Sequence, residues 1–433
     1  MRFFLKRYLK YLFNPAVMLS STTVAIVKST VPILEQHGEL LTRHFYKRMF
    51  EKNPEVAPFF NRTNQQSGTQ QKALAAAICA YAANIDNLEV LGGAVELIAQ
   101  KHASLQIQPE QYPIVGENLL ASIREVLGAG ATDEIINAWG EAYGFLAKIM
   151  IGREKEIYHQ QRIAPNGWNG FRRFKVARKE KESEVITSFY LQPEDGGALP
   201  EFQPGQYITV RVPSPCGHTT MRNYSLSDKP SQPWFRISVK RESGRDAATP
   251  DGFVSAFLHE GVNVGDALEV GPPCGEFFLD LTERHHRPLV LISAGVGITP
   301  LLSMLHSAVT AMPERLIFFI HGALNGGTHS FRENVLVLAA SHANVKVHYR
   351  YNEATDRDRQ QGNFHSEGII DAELIESLIP DRDADYYFCG PKPFMVNIYH
   401  QLLEWGIPPA QVHFEFFGPR QDLERPKASA CPV

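Results

Sequence analysis

Cysteine is scarce in this chain of 433 residues: there are five, at Cys79, Cys216, Cys274, Cys389 and Cys431. Their number is odd and no two stand in C-x-x-C spacing, which excludes a disulfide framework and a structural zinc site. A reducing compartment, the cytoplasm, is the expectation. Long apolar runs are missing too, so no segment reads as a membrane span. Positive charge is not in excess: the formal net charge is −4, and nucleic acid binding needs a basic footprint. There is no internal repeat and no low-complexity segment. What remains is ordinary soluble composition in a chain too long for one hydrophobic core, so two or three domains are expected.

Residues 1–17 differ from the rest, with Arg2, Lys6, Arg7 and Lys10, no acid and many aromatics. Two readings stand: a transit peptide or membrane-surface helix, or an upstream translation preceding a true start at Met18. From Ser21 to Gln161 apolar residues recur at helical spacing. Leu40, Leu41, His44, Phe45 and Met49 form one such set, Ala73 to Ala83 another, then Leu97, Ile98 and Leu105, and Leu119, Leu120 and Ile123. Pro54, Pro58, the polar stretch 61–68, Gly92-Gly93, Pro109 and Gly128 to Gly130 break them. An all-α domain of about six to eight helices follows, large enough to enclose a ligand.

Beyond Pro165-Asn166-Gly167 the pattern turns to short β-branched and aromatic runs: Phe174–Ala177, Val185–Leu191, Tyr207–Val212, Asn223–Leu226 and Trp234–Lys240. Gly and Pro turns between them signal a small antiparallel barrel or sandwich. After Arg287, apolar strands (Leu289–Ser293, Leu316–Ile320, Val345–Tyr351, Tyr386–Phe388) alternate with helical stretches, the pattern of a parallel α/β sheet.

Chemistry concentrates in a few segments. In the strand-to-helix run Leu289 to Pro300, Gly295-Val296-Gly297-Ile298-Thr299-Pro300 forms a turn whose glycines let backbone approach a phosphate. Thr299 suits the helix cap and Pro300 the first helical position. Arg222-Asn223-Tyr224-Ser225 lies on a barrel strand, where Arg can hold a pyrophosphate and Tyr can stack on a flavin ring. Gly205-Gln206-Tyr207 precedes it and Gly275-Glu276-Phe277-Phe278 follows. Cys389-Gly390-Pro391 ends an apolar strand at the ligand-binding edge of an α/β sheet, and Phe414-Glu415-Phe416-Phe417-Gly418-Pro419 comes last. In the helical region His102 sits on an apolar face, with Ile98 four residues before it and Leu105 three after. By its residues alone it is either a core histidine or a metal ligand.

In order and spacing, the segments from Arg173 to Pro419 resemble the ferredoxin-NADP reductase superfamily. That resemblance implies FAD in the barrel, contacted by Tyr207, Arg222, Asn223, Tyr224, Ser225 and the Phe416–Pro419 segment. It implies NADH or NADPH pyrophosphate on the Gly295–Pro300 turn, with the nicotinamide near Cys389-Gly390-Pro391. In the helical region Pro54, Phe60, Gln70 and His102 follow one another as in globins. The segments His44–Phe50, Lys101-His102, Ala103–Pro109, Pro109–Tyr112, Ala138–Gly140 and Arg153–Tyr158 are similar to those of flavohaemoglobins. With the reductase behind it, the resemblance runs from about Met18 to Pro419.

The flavohaemoglobin resemblance implies a globin haem domain (18–161), an FAD-binding barrel (165–284), an NAD(P)H-binding α/β domain (285–420) and a tail (421–433). It implies one haem b, with His102 as the proximal iron ligand. Tyr46 and Gln70 would hydrogen-bond dioxygen on the other side, with Phe60, Leu74 and Lys101 around the haem. Tyr112 and Glu154 would form a relay to the second nitrogen of His102. The implied activity is nitric oxide dioxygenation to nitrate, with electrons from NAD(P)H through FAD, as a defence against nitrosative stress. A monomer needing no protein partner is expected. Asn223 stands where the family often has Gln, Ile298 where a polar residue is common, and Phe416 where Cys can occur. Two alternatives remain beside this reading: an oxygen or nitric oxide sensor whose reductase only resets the iron, and a reductase of ferric ions or alkyl hydroperoxides.

Overall fold

A computed structural model describes residues 19–60, 68–214, 217–244, 251–282 and 286–417. The expectations for residues 1–17, for Gly418 and Pro419, and for the tail 421–433 concern positions outside these described residues. The chain divides into two compact units, one running up to Ile163, the other holding Ala164–Val212 and everything from Arg222 on.

The first unit is helical. Its helices are α1 (Ser21–Ser29), α2 (Val31–Lys52), α3 (Thr69–Ala83), α4 (Gly92–Ser104), α5 (Gln111–Leu127) and α6 (Asp133–Ile163). Ser20 caps α1, its Oγ accepting the Thr23 amide at 3.0 Å. Pro32 opens α2, where a missing N–H costs nothing. Asp133 and Glu134 lead α6, matching the positive end of the helix dipole. Leu41, Phe45, Tyr46, Met49, Tyr81 and Trp139 belong to one buried cluster. Ala99, Ala103, Met150 and Ile157 form a second, along the contact of α4 with α6.

The second unit contains two six-stranded sheets. The first has the order β4-β3-β6-β1-β2-β5, built from β1 (Arg172–Lys181), β2 (Ile186–Pro193), β3 (Tyr207–Pro213), β4 (Thr219–Ser225), β5 (Phe235–Lys240) and β6 (Ala267–Val270). In β1 the buried Phe174 and Val176 alternate with exposed neighbours, the period-two pattern of a sheet with one wet face. A bridge between Leu226 and Ile237 joins the end of β4 to β5, which closes the sheet into a barrel.

The second sheet is parallel, with the order β10-β9-β8-β7-β11-β12. Its strands are β7 (Leu289–Ala294), β8 (Ile317–Ala323), β9 (Val345–Tyr351), β10 (Ser366–Glu367), β11 (Asp385–Cys389) and β12 (Val412–Glu415). Strands β7 and β11 are buried almost throughout because helices cover both faces. One buried cluster joins β7 and β8 to the helix Ile298–Ala311, and another joins them to the helix Lys392–Glu404. Helical unit, antiparallel barrel and parallel α/β sheet therefore follow in the order expected. Among the described residues no helix is long and apolar enough to cross a membrane.

Candidate functional site

In the helical unit, α4, α5 and α6 bring three of the expected residues together. His102 Nδ1 lies 2.7 Å from Glu154 Oε1 and 3.1 Å from Tyr112 Oη. Tyr112 Oη donates to the same Glu154 oxygen at 2.5 Å. Glu154 is 2% exposed, so its carboxylate is held by these partners rather than by bulk water. With the carboxylate accepting, Nδ1 carries the hydrogen and Nε2 the lone pair, the tautomer of a metal-ligating imidazole. Both polar contacts of His102 use Nδ1, so Nε2 has no partner among the described residues. This donor set fits haem iron. Burial, reinforced by Glu154, raises the Tyr112 hydroxyl far above the ordinary phenol value, so it remains a donor.

Three further contacts fix Tyr112 and the His102 corner. Tyr143 Oη donates to the Tyr112 carbonyl at 2.6 Å, and its ring lies where a Cβ on Gly116 would stand, 2.5 Å from Cε1. Tyr158 Oη donates to the Ile107 carbonyl at 2.6 Å, while the Ile107 amide donates to the His102 carbonyl at 3.0 Å.

Tyr46 on α2 is 5% exposed and its side chain hydrogen-bonds Gln70 on α3. Burial outweighs that hydrogen bond and raises the hydroxyl well above the usual phenol value. Phe50 stacks on the Tyr46 ring at 5.9 Å, and Phe60 meets it edge-on at 5.7 Å. Leu74 packs against the same cluster. Lys101 is exposed, and its side chain has no partner among the described residues. It points to solvent because its position on α4 is turned away from the buried Ala99–Ala103 face.

In the second unit the two glycine segments meet. A Cβ on Gly205 (φ +109°) would come within 2.7 Å of the Phe277 carbonyl, and one on Gly275 (φ +117°) within 2.9 Å of the Tyr207 ring. Tyr207 and Cys274 exchange backbone hydrogen bonds at 2.9 Å, and Gln206 Nε2 donates to the Gly275 carbonyl at 3.2 Å. On β4, Asn223 Oδ1 accepts from Thr209 Oγ1 at 2.9 Å. Burial lowers the basicity of the Arg222 guanidinium and raises the Tyr224 hydroxyl. Ser225 Oγ is buried without a hydrogen-bond partner among the described residues. A desolvated cation and an unanswered buried hydroxyl on one strand fit a phosphate-bearing flavin nucleotide.

The Gly295–Gly297 turn and the Cys389-Gly390 step touch directly, because β7 and β11 are parallel neighbours with Ser293 opposite Cys389. A Cβ on Gly297 would stand 2.1 Å from the Cys389 carbonyl oxygen and 2.6 Å from the Gly390 nitrogen. Burial pushes the Cys389 thiol well above its ordinary value, so this cysteine contributes backbone and shape rather than a thiolate.

One local expectation is corrected. The helix begins at Ile298, with Gly297 at the cap, so Thr299 and Pro300 lie within the first turn. Thr299 Oγ1 donates to the Val296 carbonyl at 3.0 Å and caps no amide. The short 3-10 turn Gly295–Gly297 already curls the chain, which starts the helix two residues early. Val296 is half-buried in that turn and Pro391 is exposed. Phe416 packs on the β7–β11 cluster, whereas Phe417 is 52% exposed with no ring partner among the described residues.

The sequence reading missed the buried ion pair of Glu96 with Arg153. Its signal was the i,i+4 pair Glu96 and Gln100 next to buried alanines. It also missed the paired buried histidines His321 and His329, whose rings lie 4.7 Å apart.

Three family models match in the same order as the architecture: globin over residues 43–150, the oxidoreductase FAD-binding domain over 173–279, and the oxidoreductase NAD-binding domain over 291–400. A flavohemoprotein of Rhodopirellula baltica is 52% identical over 406 residues, covering 94% of this chain and 99% of that one. A flavohemoprotein of Halalkalibacterium halodurans is 50% identical over 406 residues, covering 94% and 98%. The solved flavohemoglobin of Malassezia yamatoensis, with bound FAD and heme, matches with a TM-score of 0.78 at 27% identity, over 92% of this chain and all of that one. The FAD/NAD-binding domain of nitric oxide dioxygenase from Vibrio cholerae matches with a TM-score of 0.51 at 36% identity, over 57% of this chain and 99% of that one. Sharing half its residues with such relatives over nearly their whole length, the chain belongs to the flavohemoprotein family of oxidoreductases.

Proposed function

We propose that this protein is a nitric oxide dioxygenase that draws electrons from NADH or NADPH. The observation that carries the reading is the His102–Glu154–Tyr112 relay, 2.7 and 2.5 Å along its two links. A buried carboxylate on the far nitrogen of a ligating imidazole makes that ligand a stronger electron donor, which oxygen chemistry needs and simple carriage does not.

When bound, haem supplies an iron that takes dioxygen for reaction with nitric oxide, and FAD turns the two-electron input of the pyridine nucleotide into single-electron steps. The residues do the rest. His102 presents Nε2 to the iron while Glu154 and Tyr112 fix the ring. Tyr46, kept protonated by burial, donates a hydrogen bond into the opposite side of the pocket, and Gln70 orients it. Phe50 and Phe60 exclude water from that side. Arg222 and Ser225 bind the flavin nucleotide's phosphates and Tyr224 its ring. Gly295 and Gly297 admit the pyridine nucleotide pyrophosphate, and Cys389-Gly390 borders its nicotinamide.

The test uses the haem- and FAD-loaded protein. Given NADH or NADPH, oxygen and nitric oxide, it should consume the two gases in equal amounts and produce one nitrate for each nitric oxide. Consumption of pyridine nucleotide with no nitrate would remove this reading.

A further inference from the structure

Helices α4 and α6 touch along a seam of small and apolar residues. Ala99 and Ala103 on α4 are fully buried, facing Met150 and Ile157 on α6. At about 100° per residue, Glu96 and His102 lie roughly 60° to either side of Ala99. On α6, Arg153 lies about 60° to one side of Met150 and Glu154 about 40° to the other. Each side of the seam therefore carries one polar clamp: Glu96 with Arg153, and His102 with Glu154.

The first clamp is built for orientation. Arg153 Nε donates to Glu96 Oε2 at 2.6 Å and Nη2 to Oε1 at 2.8 Å, a two-point fork between planar groups. Gln100 Nε2 adds a third bond to Glu96 Oε1 at 2.9 Å. The paired side chains are 9% and 10% exposed. A buried pair of this kind adds little net stability over apolar residues of the same size. Two alanines at the centre offer little shape to resist rolling of one helix on the other. A roll of about 10° moves a carboxylate some 6 Å off the helix axis by about 1 Å. That is enough to lose a 2.7 Å hydrogen bond.

We propose that Glu96, Arg153 and Gln100 are positioning residues that fix the roll of α6 against α4, and so hold the Glu154 carboxylate on His102 Nδ1. None of the three has a hydrogen bond to His102 among the described residues; they act through the geometry of Glu154. The inference rests on the reading of His102 as the iron ligand.

Resonance Raman spectra of the ferrous, haem-loaded protein test it through the iron–histidine stretching band, which follows the Nδ1 hydrogen bond. Glu154→Gln should lower the band. The double variant Glu96→Met/Arg153→Met, which removes both buried charges together, should lower and broaden it, by less. Arg153→Lys keeps the charge without the fork and should fall between the double variant and the parent. If Glu154→Gln shifts the band while the double variant matches the parent, the positioning role is wrong. If the double variant takes up no haem, Arg153→Lys and Gln100→Leu carry the test, and unchanged bands in both overturn the proposal. A parent protein without this band, or a band surviving His102→Ala, would instead remove the iron-ligand reading.

Discussion

In the helical unit the candidate site is made of side chains: an imidazole, a carboxylate and a phenol within 3.1 Å of one another, on three helices. In the α/β part of the reductase unit the corresponding place is made of backbone. There Gly297 leaves no room for a Cβ against the Cys389 carbonyl. Buried charge is used differently as well. Glu96–Arg153 stands beside the relay, whereas Arg315–Asp385, 2.5 Å apart and 4% and 7% exposed, ties the base of β11 to the turn before β8. The difference follows from what each ligand needs: a metal takes a specific lone pair, a pyrophosphate takes close amides and a helix start. The first kind of site fails when one atom is removed, the second when one is added.

Removal of the imidazole should have the largest effect. His102→Ala should abolish nitrate formation, while pyridine nucleotide oxidation with an artificial electron acceptor continues at the parent rate; loss of both activities together would make the two sites inseparable. Next, Arg315→Met removes the 2.5 Å partner of the buried Asp385 carboxylate and leaves it the longer contact with Arg287 at 4.0 Å, which costs up to about 3–5 kcal/mol. Urea unfolding should show this loss in the reductase unit, with the haem absorption of the native protein unchanged. Gly297→Ala adds one atom against backbone and should cost about 1–3 kcal/mol, read as a lower Tm and a raised KM for the pyridine nucleotide. A parent-like KM would mean the turn has room that its contacts deny.

The smallest effect concerns acid. His321 is fully buried and desolvation lowers its pKa from 6.5 to about 3. The folded state therefore binds this proton less readily than the unfolded chain does. Its contribution is fully present above the unfolded value of 6.5 and is lost as pH falls towards 3. Between pH 7 and pH 5 that amounts to about 2 kcal/mol. The stability of the reductase unit should fall over this interval, and His321→Asn should flatten the slope; an unchanged slope would assign the acid sensitivity to other groups.

Sequence periodicity was most informative where one face of an element is buried. Val345–Tyr351 was delimited to the residue, and Leu289 to Ser293 fell one residue short of β7. It missed β6, four residues in which Ala267 and Glu269 mask the alternation of Leu268 and Val270. It also missed β10, a two-residue strand defined only by its pairing with β9. At the candidate site, His102, Tyr112 and Glu154 were recognisable because they belong to long similar segments. Glu96 was not, because a glutamate in a helix reads as a solvated charge until Arg153 is seen beside it, 57 positions away. Thr299 misled for a related reason: a Thr-Pro step resembles a cap, and only the preceding 3-10 turn moves the helix start to Ile298.

A nitric oxide dioxygenase of this architecture must pass electrons from the pyridine nucleotide to the haem within one chain. Anaerobic stopped-flow mixing of the loaded protein with NADH or NADPH, followed at flavin and haem wavelengths together, tests this directly. The flavin absorbance should bleach first and the haem should then convert from ferric to ferrous, with no added mediator. A flavin that bleaches while the haem stays ferric would contradict the account.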